Sequence, residues 1–128
     1  MNNDRLEHRT EQFIKALNRL EDACDQEENE FIRDAVIQRF EFCFELAWKM
    51  LRAKLLRDGI DAASPRQVIR EAVSSHLLDD GNRWSEMLLM RNRTSHTYDS
   101  ALAMEVYRFI CDEGMTLFRS LAEKARLW

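Results

Sequence analysis

Backbone punctuation is nearly missing from this sequence: three glycines and one proline in 128 residues. With so few places to turn sharply, the chain points to a few long helices. No stretch alternates apolar and polar residues well enough to compete as a strand. Cysteine is also scarce. Cys24, Cys43 and Cys111 are odd in number, far apart and set in helical patterns. They make neither a disulfide framework nor a CxxC metal motif, and read as small core residues in a reducing compartment. No apolar run approaches the roughly 18 residues of a membrane span. The start, Met1-Asn2-Asn3-Asp4-Arg5, is too polar for a signal peptide. The expectation is a cytoplasmic protein with no membrane segment.

Excess positive charge is absent too: the net charge is −4 and the isoelectric point near 5.4. Proteins that grip nucleic acid through extended backbone contacts are mostly basic. If this chain acts on RNA, a local patch or a complex must supply the cations. No glycine-rich phosphate loop and no acidic triad of a polymerase-type site is present, so the chain is not itself a nucleotidyltransferase. No cofactor is implied. Glu41 and Glu45 stand one turn apart, but no further ligands occur at a suitable spacing, so no metal site is expected. They read as partners for Lys49, Arg52 or Arg91, with Glu45 and Lys49 in the favourable acid-before-base order. The other reading is that one of them orients Arg91.

What is there is helical periodicity. Hydrophobic residues make up 45% and charged residues 33%, a balance that suits amphipathic helices in one domain over residues 1–128. Leu6, Phe13, Leu17, Leu20 and Cys24 share a face over about residues 4–23. Ile37, Phe40, Phe44, Ala47, Leu51 and Leu55, widened by Val36, Cys43 and Met50, stripe a second helix over about 30–57, spanning roughly 40 Å. Gly59 is a stop and Ser64-Pro65 a start. Val68, Ile69, Ala72, Val73 and Leu77 face inward on a third helix. Trp84, Met87, Leu88 and Arg91 belong to a fourth. Asp99 or Ser100 caps a fifth over about 101–124, with Ala103, Val106, Ile110, Leu117 and Leu121 inward and Gly114 placed for close helix approach. The fold class is all-α, an up-and-down four-helix bundle with an additional short helix. Phe42 falls off the main stripe, where a partner subunit would meet it. His8 and His76 attract no role.

The densest chemistry lies in Arg91-Asn92-Arg93-Thr94-Ser95-His96-Thr97-Tyr98. An arginine grips phosphate through a planar fork of donors, and a histidine moves protons near neutral pH without a metal. On an unbroken helix, five residues turn by about 500°, leaving Arg91 and His96 about 140° apart. They meet only if the helix ends between them. Asn92 and His96, four apart, suit a shared face. In the plainer alternative, Arg91 pairs with a carboxylate of the second helix and His96 closes a helix end.

Arg91-x4-His96-x-Tyr98, with Asn92 beside the arginine, resembles the signature of the HEPN superfamily of helical bundles. The run Arg33–Lys49, the block Ser64–Ala72, Trp84-x2-Met87 and the motif itself are similar, in that order, to the nucleotidyltransferase substrate-binding family. The resemblance extends from about Arg5 to Leu121. It implies a homodimeric bundle whose partner is a minimal nucleotidyltransferase. Related pairs act as toxin and antitoxin, the HEPN protein being a metal-independent ribonuclease and its partner attaching AMP to the motif tyrosine. Carried onto this sequence, the resemblance makes Arg91 and His96 catalytic, Asn92 and Arg93 substrate-binding, and Tyr98 the modified residue, with RNA as substrate. Across a dimer axis, Arg93 and Arg83 would add local cations. The alternative is a substrate-binding subunit that grips phosphate and cleaves nothing, and beyond that an inert helical adaptor.

Overall fold

The computed structural model describes residues 3–128; Met1 and Asn2, part of the polar start noted above, lie outside them. Six α-helices follow in order: α1 (Asn3–Cys24), α2 (Glu30–Arg57), α3 (Pro65–Ser74), α4 (Gly81–Arg93), α5 (Ser100–Phe109) and α6 (Met115–Ala125). A 3-10 turn at Thr94–His96 joins α4 towards α5, and a π turn at Ile110–Gly114 makes α5 and α6 one long rod. No strand occurs among the described residues, and no described helix is long and apolar enough to cross a membrane.

Local sequence sets the boundaries. After the acidic connection Asp25-Gln26-Glu27-Glu28, Asn29 is extended and its side chain accepts the Ile32 amide at 2.8 Å, starting α2. α2 stops at Gly59, whose φ of +86° suits a residue without Cβ. There Ile60 N–H donates to the Leu55 carbonyl and Gly59 N–H to that of Leu56, closing the helix with paired bonds. Ser64 Oγ accepts the Gln67 amide, and Gln67 Oε1 in turn accepts the Ala63 amide, ahead of Pro65 in the first turn. α3 ends in the same paired pattern, but His76 takes the left-handed position with φ +62°. That is its role in the chain.

α1 and α2 form an antiparallel hairpin with the largest helix interface, and the α5–α6 rod and α4 pack across it. The core centres on Phe118 of α6, fully buried, with ring centroids 5.9 Å from Phe13, 6.0 Å from Phe40 and 5.9 Å from Trp84. One side chain thus links α1, α2, α4 and α6. All nine apolar residues expected to line α2 are buried.

Four expectations change. Leu117 is only half-buried, and Phe118 takes the inward place, because the π turn adds a residue and shifts the inner face forward. Gly114 is buried, but a Cβ there would meet only ordinary contacts, 3.6 Å to the Phe109 carbonyl and 3.9 Å to Met87 Sδ. The tight approach is at Gly81, where a Cβ would come within 3.3 Å of Val73 Cγ2. Of the cysteines, only Cys43 is a core residue; Cys24 and Cys111 are half-buried and touch each other, Sγ to Sγ 2.7 Å. The third helix ends at Ser74, so Leu77 lies beyond it; Val73 and Leu77 are half-buried, and Leu78 is drawn inside instead.

Candidate functional site

α4 ends at Arg93, between Arg91 and His96, because hydroxyl side chains compete for its last carbonyls. Thr94 Oγ donates to the Arg91 carbonyl at 2.7 Å, Ser95 Oγ to that of Asn92 at 3.3 Å, and Thr97 Oγ to that of Thr94 at 2.9 Å. Thr94 is the one buried polar side chain among the described residues, and it anchors the turn. On the far side, Asp99 accepts the amides of Ala101 and Leu102 at 2.9 and 3.3 Å and starts α5. The Asp99 amide donates back to the His96 carbonyl at 3.2 Å. Residues 94–99 are therefore a short, bonded corner carrying the motif.

Arg91 is half-buried, with its guanidinium 3.5 Å from Thr94 Oγ. No ion pair involves it among the described residues, so the expected pairing with an α2 carboxylate does not occur. Glu45 is engaged elsewhere: it accepts Trp48 Nε1 at 3.0 Å and pairs with Lys49 at 3.4 Å. His96 is exposed, and its ring lies edge-on to that of Tyr98, centroids 6.2 Å apart at 77°. Tyr98 is 87% exposed. The structure brings His96 and Tyr98 together directly; Arg91 lies on α4, just before the corner, and among the described residues no hydrogen bond joins it to His96.

The other cations are placed differently. Arg93 donates to Glu105 at 3.2 Å, pinning the end of α4 to α5. Arg83 pairs with Glu113 and, at 3.6 Å, with Glu86. Asn92 lines a groove of about 480 Å³ between α3 and α4, with Arg66 and Arg70 on its α3 wall; His96 is not part of that lining. Neither Arg66 nor Arg70 forms an ion pair among the described residues. Sequence reading assigned them no function, though a signal existed: they stand four apart, with no acid three or four residues from either. Arg5, Arg9, Lys49, Arg52 and Arg57 also gather, with Asp4, around a cavity of about 670 Å³ between the start of α1 and the end of α2. A chain of net charge −4 thus holds two locally positive surfaces, one continuous with the motif through Asn92.

Known proteins share this fold. Residues 8–126 match the family described as nucleotidyltransferase substrate binding protein like. A probable ribonuclease HepT of Haemophilus influenzae is 42% identical over 81 residues. That match covers 59% of this chain and 56% of the relative, so the chain spans about half the length of the curated protein it resembles. A Thermus thermophilus protein of known crystal structure superposes with a TM-score of 0.76 at 36% identity, covering 89% of this chain and 95% of that one. A Haemophilus influenzae structure, described as revealing the fold of a substrate binding domain of a nucleotidyltransferase, superposes with a TM-score of 0.70 at 30% identity, covering 96% and 98%. With the helical bundle and a family match over nearly its whole length, this chain belongs to the nucleotidyltransferase substrate-binding protein family.

Proposed function

We propose that this protein is a HEPN-type, metal-independent endoribonuclease that works beside a minimal nucleotidyltransferase, and that transfer of AMP to Tyr98 silences it. The observation that carries this reading is the motif corner, where an arginine without a carboxylate partner among the described residues accompanies an exposed histidine and an exposed tyrosine. The relative's name, probable ribonuclease HepT, points the same way. Arg91 holds the scissile phosphate and offsets the charge that grows on its oxygens. His96 takes the proton of the neighbouring 2′-hydroxyl as that oxygen attacks phosphorus and the 5′-oxygen leaves, producing a cyclic phosphate. Asn92, with Arg66 and Arg70 beyond it, continues the track for the RNA backbone, and Arg93 holds substrate at the Glu105 edge. An AMP group on Tyr98 sets a bulky anion beside the His96 ring, which blocks the phosphate that Arg91 must receive.

The molecule is a homodimer in this reading, with Phe42 at 57% exposure and Phe31 at 80% on α2 available to a second subunit. Facing corners would pool their cations over a screening distance of about 8–10 Å.

The second reading is a non-catalytic substrate-binding subunit of a two-component nucleotidyltransferase, favoured by the family description and by the Haemophilus structure. RNA cleavage by the purified protein in EDTA, with end-group analysis, separates the two. Cyclic-phosphate ends support the ribonuclease. No cleavage by protein whose intact mass shows an unmodified Tyr98 favours the binding subunit.

Two further results are expected. Incubation with a cognate minimal nucleotidyltransferase and ATP adds AMP to the wild-type chain and none to Tyr98→Phe; intact mass checks this, and equal labelling of the variant removes Tyr98 as the acceptor. Replacing Arg66 and Arg70 together by glutamine weakens single-stranded RNA binding roughly tenfold and lowers the salt slope by about 1.4, two phosphate contacts' worth. Fluorescence anisotropy across a salt series reads both quantities, and an unchanged slope puts the RNA elsewhere.

A further inference from the structure

The proposed reaction leaves this protein's strongest nucleophiles, its thiols, unused. Cys24 is the last residue of α1, and Cys111 lies in the π turn between α5 and α6. They are 87 positions apart in the chain, yet their sulfurs are 2.7 Å apart. That separation is shorter than ordinary contact between two sulfurs and within a fraction of an ångström of a disulfide bond's length of about 2.05 Å. Both residues are half-buried, so neither is sealed within the core as Cys43 is. Cys43 is the internal contrast: it has no partner sulfur among the described residues, and full burial pushes its thiol up.

The pair is also asymmetric. The hydrogen bond shared with Cys24 holds the Cys111 thiol below its ordinary range, with the Tyr107 hydroxyl helping and burial opposing. The same shared hydrogen bond, then burial, pushes Cys24 up. Tyr107, buried beside them, is pushed up to about 12, first by burial and next by the charge of Cys111. One sulfur is prepared to attack and the other to keep its proton until needed. The π turn contributes a structural reason, since its extra residue displaces the helix register where Cys111 meets α1.

We propose that Cys24 and Cys111 are a redox-active dithiol that closes to an intramolecular disulfide on reaction with a low-molecular-weight disulfide such as oxidised glutathione. The Cys111 thiolate attacks one glutathione sulfur, forming a mixed disulfide and releasing one glutathione thiolate, which takes up the proton Cys111 lost. The Cys24 thiol then loses its proton and attacks the Cys111 sulfur of the mixed disulfide. The second glutathione leaves and accepts that proton. Two protein thiols are oxidised by two electrons, and one glutathione disulfide is reduced to two thiols. The new bond staples the end of α1 to the rod that begins directly after the motif corner.

The test exposes the reduced wild-type protein to excess oxidised glutathione, quenches with acid, alkylates the remaining thiols and maps the peptides. The expected product has lost two hydrogens, retains no glutathione and joins the Cys24 peptide to the Cys111 peptide, with Cys43 alkylated only after unfolding. Its melting temperature rises by about 10 °C, because the bond closes a long loop in the unfolded chain. Cys24→Ser stops the reaction at a glutathione adduct on Cys111. Should that variant fail to fold, the wild-type map decides alone. Free thiols at both positions, a stable glutathione adduct on the wild type, a bond between two chains on a non-reducing gel, or a lowered melting temperature would each overturn the assignment.

Discussion

Replacing His96 by alanine lowers the rate of RNA cleavage in EDTA by about 10²–10⁴-fold, the range that a positioned proton-transfer group supplies. The loss should fall on the chemical step. His96 is exposed, its ring meets only the exposed ring of Tyr98, and its backbone carbonyl, which accepts the Asp99 amide at 3.2 Å, survives the substitution. Thermal stability therefore stays within about 0.5 kcal/mol of wild type, as for other surface changes. RNA affinity changes little, because Arg91, Asn92, Arg66 and Arg70 keep their grip. Single-turnover cleavage, anisotropy and a thermal melt on the same preparation separate these effects. A variant that binds and melts normally yet cleaves at the wild-type rate sinks the proposed role of His96. A variant that loses binding in proportion to cleavage would make it a phosphate ligand instead.

The largest effect on stability is expected at Phe118. Truncation to alanine removes a fully buried ring in contact with Phe13, Phe40 and Trp84, and leaves a cavity where four helices meet. The cost is about 3–5 kcal/mol, a lowering of the melting temperature by roughly 10–20 °C. Leu117→Ala is the informative neighbour. Leu117 is half-buried, so its truncation costs under about 2 kcal/mol. Urea unfolding of both variants measures the difference. Near-equal losses, or a greater loss at Leu117, would contradict the register that the π turn imposes on α6.

The two residues also show how far periodicity carries. A regular helix through Ile110 returns to the same face at Leu117, since seven residues make nearly two full turns. Nothing in Ile110-Cys111-Asp112-Glu113-Gly114 announces a π turn. The ends of the helices were far more legible. Ser64 and Asp99, read as caps from the sequence, bond through their own side chains to amides two or three residues away, and Gly59 supplies the positive φ at the end of α2; Asn29 and Asp80 cap in the same way, though the sequence reading did not single them out. Those bonds are local, so their residue types are readable in order. His76 shows the limit: it holds a position glycine usually fills, and only the backbone reveals it.

The same division runs through the candidate site. Arg91, Asn92, Arg93, His96 and Tyr98 stand close together in the chain, and Thr94-Ser95 already suggested a break between the arginine and the histidine. The break has a local cause in the hydroxyl bonds of Thr94, Ser95 and Thr97. Which cations are free was not legible. Arg93 and Arg83 are engaged by Glu105 and Glu113, residues of the α5–α6 rod, while Arg66 and Arg70 stand open beside Asn92.

The sequence by itself determined the all-α class, the order and approximate limits of the helices, the apolar stripe of α2 and the position of the motif at a helix end. These follow from spacing and capping, which act within a turn or two of the chain. Tertiary structure alone decided that Phe118 is the hub, that Arg66 and Arg70 extend the motif surface, and that Cys24 meets Cys111 across 87 positions. Each depends on where one helix places its side chains against another. That relation is set by the packing of the whole core, and no local pattern encodes it.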